Sequence, residues 1–403
     1  MSGFKIAVPV QWRLRITWAS AAILAIGAAL LLAHRLHAVS HRYDQFDFLN
    51  FYGWWSDYSS GGNPWTDLRG KMHGCNYTPA FVEIFSPLSR LDLKTAFRIW
   101  QIGQLLCLFT AVLLLARGSA APLGAAPTMI VLSLVLLSRP FMGALVWSQI
   151  APMLLALLCA AWFCARRERP AAAGLWLALA ALLKLFPAAA AGYFLFGRRW
   201  RALGWTIGFF AAGVLLTNPA HWIELTRELP IAFHVKNGRG GLTVLSFVRK
   251  SLAHVAGIKI LDEPLLAVWG FTILIDLALL AIVVEATITS RERPELDDLL
   301  FGLWVALALL MSPLAWEWDA LLLIPAYLFA LLAAWQGYQP REPARNIALI
   351  AGSAILALCI ISALIKALPH PGFPLLLAVY LGAALIFRAR MRPELPNSQR
   401  SLR

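Results

Sequence analysis

Apolar residues fall in long blocks near 16–33, 97–115, 121–138, 143–164, 171–196, 202–217, 264–286, 298–313, 319–335, 346–365 and 373–387. Short polar connections separate most of them. Blocks of this length predict helices that cross a lipid bilayer, about 10–12 membrane segments of about 20 residues or less. The expected fold class is therefore an all-α polytopic membrane protein. The block 171–196 is interrupted at 184-KLFP-187. Pro187 removes a backbone donor, a loss tolerated in a membrane only where protein or a cavity covers the break. Two short membrane helices are expected there, with Lys184 at their tip.

Basic residues give these segments a direction. Lys5, Arg13 and Arg15 precede the first block, and no small-residue cleavage site follows it, so it reads as an uncleaved span with its start in the cytoplasm. Alternation then places Arg117, 166-RRERP-170, 291-RERPELDD-298, 341-REPAR-345 and the tail inside, leaving only Arg139 and Lys366 in short outer connections. The hairpin at Lys184 keeps 197-GRRWR-201 inside as well. Residues 1–390 read as one membrane unit and 391–403 as a cytoplasmic tail. The long connections 34–96 and 218–262 fall outside. In them 88-LSRLDLKTAFRIW-100 and 221-HWIELTRELPIAFHV-235 mix apolar and charged residues at helical spacing, as surface-lying helices do.

Composition strengthens this picture. The chain is 60% hydrophobic and 14% charged, against about 45–50% and about 25% for soluble domains. The net charge of +14 sits at segment ends. It is topology and lipid-headgroup charge, not a nucleic-acid surface. Of the five cysteines only Cys75 lies in a polar connection, so no disulfide is expected outside the membrane, and no Cys/His spacing predicts a metal.

Candidate chemistry concentrates in 41-HRYDQFDFLNFYGWWSDYSSGGNPW-65. Asp47 has two readings. It is the N-cap of a following helix, or a carboxylate partly desolvated among aromatics and raised toward a general base. The rings likewise read as an interfacial belt or as faces for sugars. Within 234-HVKNGRGGLTVLSFVRK-250 lie His234, Lys236, Arg239, Arg249 and Lys250, a solvated basic loop or a phosphate cradle. Arg249 stands out because it follows an apolar run. Lys184 either meets an anion or snorkels. Gln149 either binds a sugar hydroxyl or satisfies a neighbouring helix. Glu317 and Asp319 stand at a segment start, as helix caps or as acceptor contacts.

The order of several stretches resembles glycosyltransferase family 87, polytopic GT-C enzymes that include polyprenyl-phosphate-mannose-dependent mannosyltransferases. The stretches are 47-DFLNFY-52 with 61-GGNPW-65, 76-NYTPAFVEIFSPLSRL-91, 145-LVWSQIAPMLLAL-157, 174-GLWLALAALLKLFPAAA-190 and 311-MSPLAWEWDALLLIP-325. They span roughly residues 40 to 335. The chain departs from the family pattern at Ser148 (commonly Gly), Ala151 (commonly Asn), Thr78 (commonly Pro) and Trp318 (commonly His). The resemblance implies a GT-C bundle and a metal-independent, inverting sugar transfer without a cofactor. The donor would be a polyprenyl-phosphate sugar, probed first with mannose, and the acceptor a glycolipid or polysaccharide. It implies Asp47 as catalytic base, with Asp44 as fallback. For such a donor, the candidates to meet its phosphate are Arg249, Lys184, Lys236, Arg239 and His234. Gln149, Trp54, Tyr77, Glu317 and Asp319 would line the sugar and acceptor side. The implied location is a bacterial inner membrane, with the site on its periplasmic or extracellular face.

Readings from other classes are a transporter or lipid flippase, and a non-catalytic subunit with the same fold. Transporters commonly show matched broken helices in two halves. The sequence shows one clear break, at Lys184, and its long connections have no counterpart.

Overall fold

The computed structural model describes residues 10–40, 47–65, 75, 77–119, 122–236, 243–255, 266–313, 315–337, 343–364 and 372–391. Among the described residues no strand occurs. The helices are α1 (Val10–Ser40), α2 (Asp47–Ser59), α3 (Pro79–Phe85), α4 (Leu93–Gly118), α5 (Ala125–Leu137), α6 (Arg139–Val146), α7 (Ala151–Arg166), α8 (Pro170–Leu183) and α9 (Gly192–Phe196). There follow α10 (Trp200–Leu216), α11 (Pro219–Lys236), α12 (Val244–Val255), α13 (Leu266–Thr289), α14 (Asp297–Leu310), α15 (Ile324–Gly337), α16 (Pro343–Leu364) and α17 (Gly372–Met391). Leu14–Val39, Leu93–Gly118, Leu266–Thr289 and Glu317–Gly337 are each long and apolar enough to cross a membrane. Two bent pairs add to them, α5 with α6 at 56° and α10 with the start of α11 at 98°. The chain is an all-helical, multi-pass membrane protein.

α14 lies at the centre. Every residue from Asp298 to Leu310 is buried, which an all-round apolar helix requires. It packs on α15 and α17, and on the short 3-10 turn Phe186–Ala191. Close approach depends on small residues, as between membrane helices generally. A side chain at Gly302 would meet the Ala326 backbone at 2.8 Å, and one at Gly174 would meet Thr206 N of α10 at 2.7 Å.

One end of the bundle collects its basic residues. Arg166 pairs with Asp298 at 3.3 Å, and Arg199 pairs with Asp297. Arg291 donates to the Phe196 carbonyl, and Arg293 to that of Arg390. Adjacent carboxylates at the N-terminus of α14 thus hold both 166–170 and 197–201, while the dipole of α14 favours their charge. The chain between them goes up α8 and returns through 186–196. Lys184 therefore sits at the tip of a membrane hairpin, as its sequence predicts. α8 ends at Leu183 and Lys184 is extended, with φ −152° and ψ 129°. The tip is about 20 Å from the basic end at 1.5 Å per residue.

Two elements differ from the sequence pattern. The block 143–164 is not one helix, because a turn at 147–150 separates α6 from α7. Ser148 in that turn has φ 55°, a left-handed conformation that glycine normally supplies. With serine there, the break signal left in the sequence is Pro152, in the first turn of α7. Residues 93–100 are not a separate surface helix but the first turns of α4, started by Asp92, whose carboxylate accepts from Thr95 N at 3.0 Å.

Candidate active site

The aromatic residues of 47–65 mostly form a core. Phe48, Phe51 and Trp55 of α2 pack on Phe81 of α3 and on Phe97 and Trp100 of α4, with ring centroids 5.2–6.2 Å apart. Trp65 is fully buried, and its indole donates to the Tyr77 carbonyl at 3.0 Å. These contacts fasten α2 to the bundle. Trp54, expected as a sugar contact, is enclosed in this cluster. It is 4% exposed and packs on Phe51 at 5.6 Å and Tyr77 at 6.0 Å.

That anchoring carries Asp47 to a defined place. It is the first residue of α2, where the helix dipole favours a carboxylate. Its Oδ2 accepts from Gln149 Nε2 at 2.5 Å. The cap and base readings therefore coexist in position, but this carboxylate oxygen is turned toward another element. Gln149 is 5% exposed and stands just before α7. Its own Oε1 accepts from the Tyr77 hydroxyl at 3.0 Å. Burial first, then the charges of Asp319 and Asp47, hold the Tyr77 phenol well above the usual tyrosine range. A phenol held protonated donates, so the Gln149 carbonyl faces it and the amide N–H₂ faces Asp47. The turn carrying Gln149 is fixed in the same way. Trp100 Nε1 donates to the Ser148 carbonyl at 2.8 Å, and Gln101 Nε2 to Ser148 Oγ at 3.1 Å.

Beside this chain lies a buried ion pair. Lys184 Nζ donates to both oxygens of Asp319 at 3.1 Å. Asp319 is 1% exposed and its Oδ2 also accepts from Trp316 N at 3.0 Å. It thus caps the 3-10 turn Glu317–Leu323, one of the roles its sequence position suggests, and also binds the hairpin tip. Lys184 also lies 5.2 Å over the Phe186 ring. Thr78 caps α3 through Phe81 N at 3.2 Å and donates to the Leu182 carbonyl, tying α3 to the end of α8.

Asp47, Tyr77, Gln149, Lys184 and Asp319 thus converge on one end, opposite the Asp297 and Asp298 cluster. Glu317 opens the same 3-10 turn as Asp319. Arg249 is on α12, 6% exposed, among the buried residues Val244, Leu245 and Val248. Lys236 and His234 belong to α11, and nothing is known of their side chains. Asp44 and Arg239 lie outside the described residues. No cluster of metal-ligating side chains occurs among the described residues.

A family model of glycosyltransferase family 87 matches residues 76–313. That span holds Tyr77, Gln149, Lys184 and Arg249, but not Asp47 or Asp319. A protein of Mycolicibacterium smegmatis (strain ATCC 700084 / mc(2)155), named as a polyprenol-phosphate-mannose-dependent alpha-(1-2)-phosphatidylinositol pentamannoside mannosyltransferase, is 28% identical over 270 residues. The match covers 63% of this chain and 60% of that protein's length. Among solved structures, ArnT from Cupriavidus metallidurans aligns in its apo state with a TM-score of 0.40 and 15% identity, over 93% of this chain and 77% of that one. The same protein bound to undecaprenyl phosphate gives a TM-score of 0.40 and 16% identity, over 91% and 77%. Similarity that loose places no residue.

Proposed function

This chain belongs to glycosyltransferase family 87, and we propose that it moves a sugar from a polyprenyl-phosphate donor to an acceptor hydroxyl at the outer face of a bacterial inner membrane. The mannose-dependent relative makes mannose the first donor to test. The observation that carries the reading is the chain of contacts Tyr77–Gln149–Asp47 beside the Lys184–Asp319 pair.

In this reading Asp47 accepts the proton of the incoming hydroxyl as that oxygen bonds to C1 of the sugar. The bond from C1 to the phosphate oxygen breaks, and its electron pair leaves with polyprenyl phosphate. Attack opposite the leaving group inverts C1. Gln149 holds the carboxylate while Tyr77 holds Gln149, which reduces reorganisation during the reaction. The leaving group is already a stable anion, so cationic side chains suffice to receive it. Lys184 and Arg249 are the candidates with described positions. The Lys184 charge is shared with Asp319, so its ammonium would receive the phosphate while keeping one carboxylate contact. Arg249, with Lys236, His234 and Arg239 along the same connection, would supply the rest.

Charge supports this sidedness. The basic connections, with Arg166, Arg199, Arg291 and Arg293, gather at the end opposite Asp47, and the positive-inside rule makes that end cytoplasmic. The test is to reconstitute the purified chain with a panel of radiolabelled polyprenyl-phosphate sugars and a membrane glycan extract. Label moving from one donor to glycan supports the reading. Donor flipping or solute uptake without transfer overturns it.

A further inference from the structure

Beside the base stands a group of indoles with no role so far. Trp318 is central. Its ring lies 5.8 Å from that of Trp147, at 35°, and 5.7 Å from that of Trp316, stacked at 20°. Trp147 is 38% exposed, whereas Trp318 is 9% exposed. The Trp318 indole Nε1 is buried without a hydrogen-bond partner in the structure. Glu317 lies between Trp316 and Trp318 in sequence, and Gly143 of α6 approaches its carboxylate, a Cβ there falling 3.7 Å from Oε1.

The position is specific. Trp147 is two residues before Gln149, which binds Asp47, and Trp318 directly precedes Asp319, which binds Lys184. Trp147 and Trp318 thus join the two halves of the site. An interfacial belt would turn its rings outward to headgroups. Here the middle ring is enclosed and its N–H is left without an acceptor, which a folded protein normally avoids.

We propose that Trp147, Trp316 and Trp318, with Glu317, form a shelf that binds the sugar ring of a carbohydrate acceptor. This rests on the glycosyltransferase reading and deepens it by naming the acceptor class. A pyranose offers a C–H face for an indole and a rim of hydroxyls that serve both a carboxylate and an N–H donor. An acyl chain has no use for Glu317, and a phosphate is repelled by it. A ring seated there lies beside the turn that carries Gln149, the residue bonded to Asp47. Trp318, the enclosed middle ring with an N–H lacking an acceptor, becomes the residue that sets which acceptor is used.

The experiment compares wild type with Trp147→Ala, Trp147→Phe and Trp318→His in two arms. Steady-state transfer measures acceptor KM and donor KM separately. Saturation-transfer NMR measures binding of methyl α-D-mannopyranoside and methyl β-D-galactopyranoside, with n-octanol as apolar control. The shelf predicts that Trp147→Ala raises acceptor KM about tenfold, the equivalent of about 1.4 kcal/mol, while donor KM stays within about twofold. Trp147→Phe recovers part of the loss, and Trp318→His changes the ratio of mannoside to galactoside bound. A rise in donor KM instead, or in neither KM, overturns the proposal. If wild type transfers no sugar, the glycosyltransferase reading fails and the NMR arm decides the shelf. Glycoside signals lost in Trp147→Ala then support it. Equal signals in that variant, or none in wild type, overturn it.

Discussion

Gln149 donates to Asp47 across 102 residues of sequence, and it is fixed in that pose by Tyr77. The amide has one donor end and one acceptor end, and each is matched to a neighbour of the right kind. A leucine at this position removes both contacts without adding charge. Gln149→Leu is predicted to lower kcat about tenfold to hundredfold with little change in donor KM, because it loosens the base rather than removing it. Gln149→Glu sets a second carboxylate against Asp47. Like charges raise one another's pKa, and the base must be ionised to act, so the acid limb of the kcat/KM profile moves to higher pH. An unmoved limb in that variant would separate Gln149 from the base.

Tyr77 supplies a pH prediction of its own. Burial, Asp319 and Asp47 raise its pKa above the ordinary value near 10. Below that value the phenol is neutral whether the chain is folded or not. Above it the unfolded phenol ionises and the folded one does not, so this group's stabilisation is lost as pH rises past about 10. The phenolate absorbance of wild type minus Tyr77→Phe reads this directly. Ionisation in the ordinary range would contradict the network.

The Lys184–Asp319 pair separates stability from chemistry. Removing Asp319 alone leaves a buried ammonium uncompensated, and Asp319→Ala is predicted to cost about 3–5 kcal/mol. Replacing both with apolar residues, as in Lys184→Met with Asp319→Leu, restores most of that stability. If Lys184 meets the donor phosphate, the double variant still transfers about 10²–10³ times more slowly than wild type. Full activity in a stable double variant would reduce the pair to a structural clasp. Thermal unfolding in detergent and initial rates measure the two effects.

Ser148 occupies a left-handed conformation at φ 55°. Such strain costs a non-glycine residue about 1–2 kcal/mol. Ser148→Gly relieves it but loses the hydroxyl contact to Gln101, so it is predicted to be neutral or to stabilise by up to about 1 kcal/mol. Ser148→Ala keeps the strain and loses the contact, and destabilises by about 1 kcal/mol. The order of the two melting temperatures checks the argument.

The bundle was legible because lipid demands long apolar helices, and the Lys184 hairpin was legible because proline marks a break. The basic end followed from charge alone. The turn at 147–150 was marked by Pro152 in the first turn of α7 and not by a glycine, since Ser148 holds the left-handed position. Asp47, Gln149, Lys184 and Asp319 were readable as unusual polar residues at apolar boundaries, but their pairing was not. Contacts over 102 and 135 residues come from how helices pack, which spacing does not encode. Which rings of 47–65 pack as core was not legible, because a buried aromatic core and an aromatic ligand surface share one composition. Trp318 was legible only as a departure from the family pattern, and its grouping with Trp147 was not, because Trp147 lies in a distant segment until the fold joins them.

The central claim is that Asp47 takes the acceptor proton. Its most direct test is the rate of sugar transfer from polyprenyl phosphate by reconstituted Asp47→Asn, beside wild type and at saturating donor. The isosteric amide keeps the shape and cannot accept the proton. The account predicts a loss of about 10²–10⁴ in kcat with donor binding retained. Transfer at the wild-type rate would contradict it.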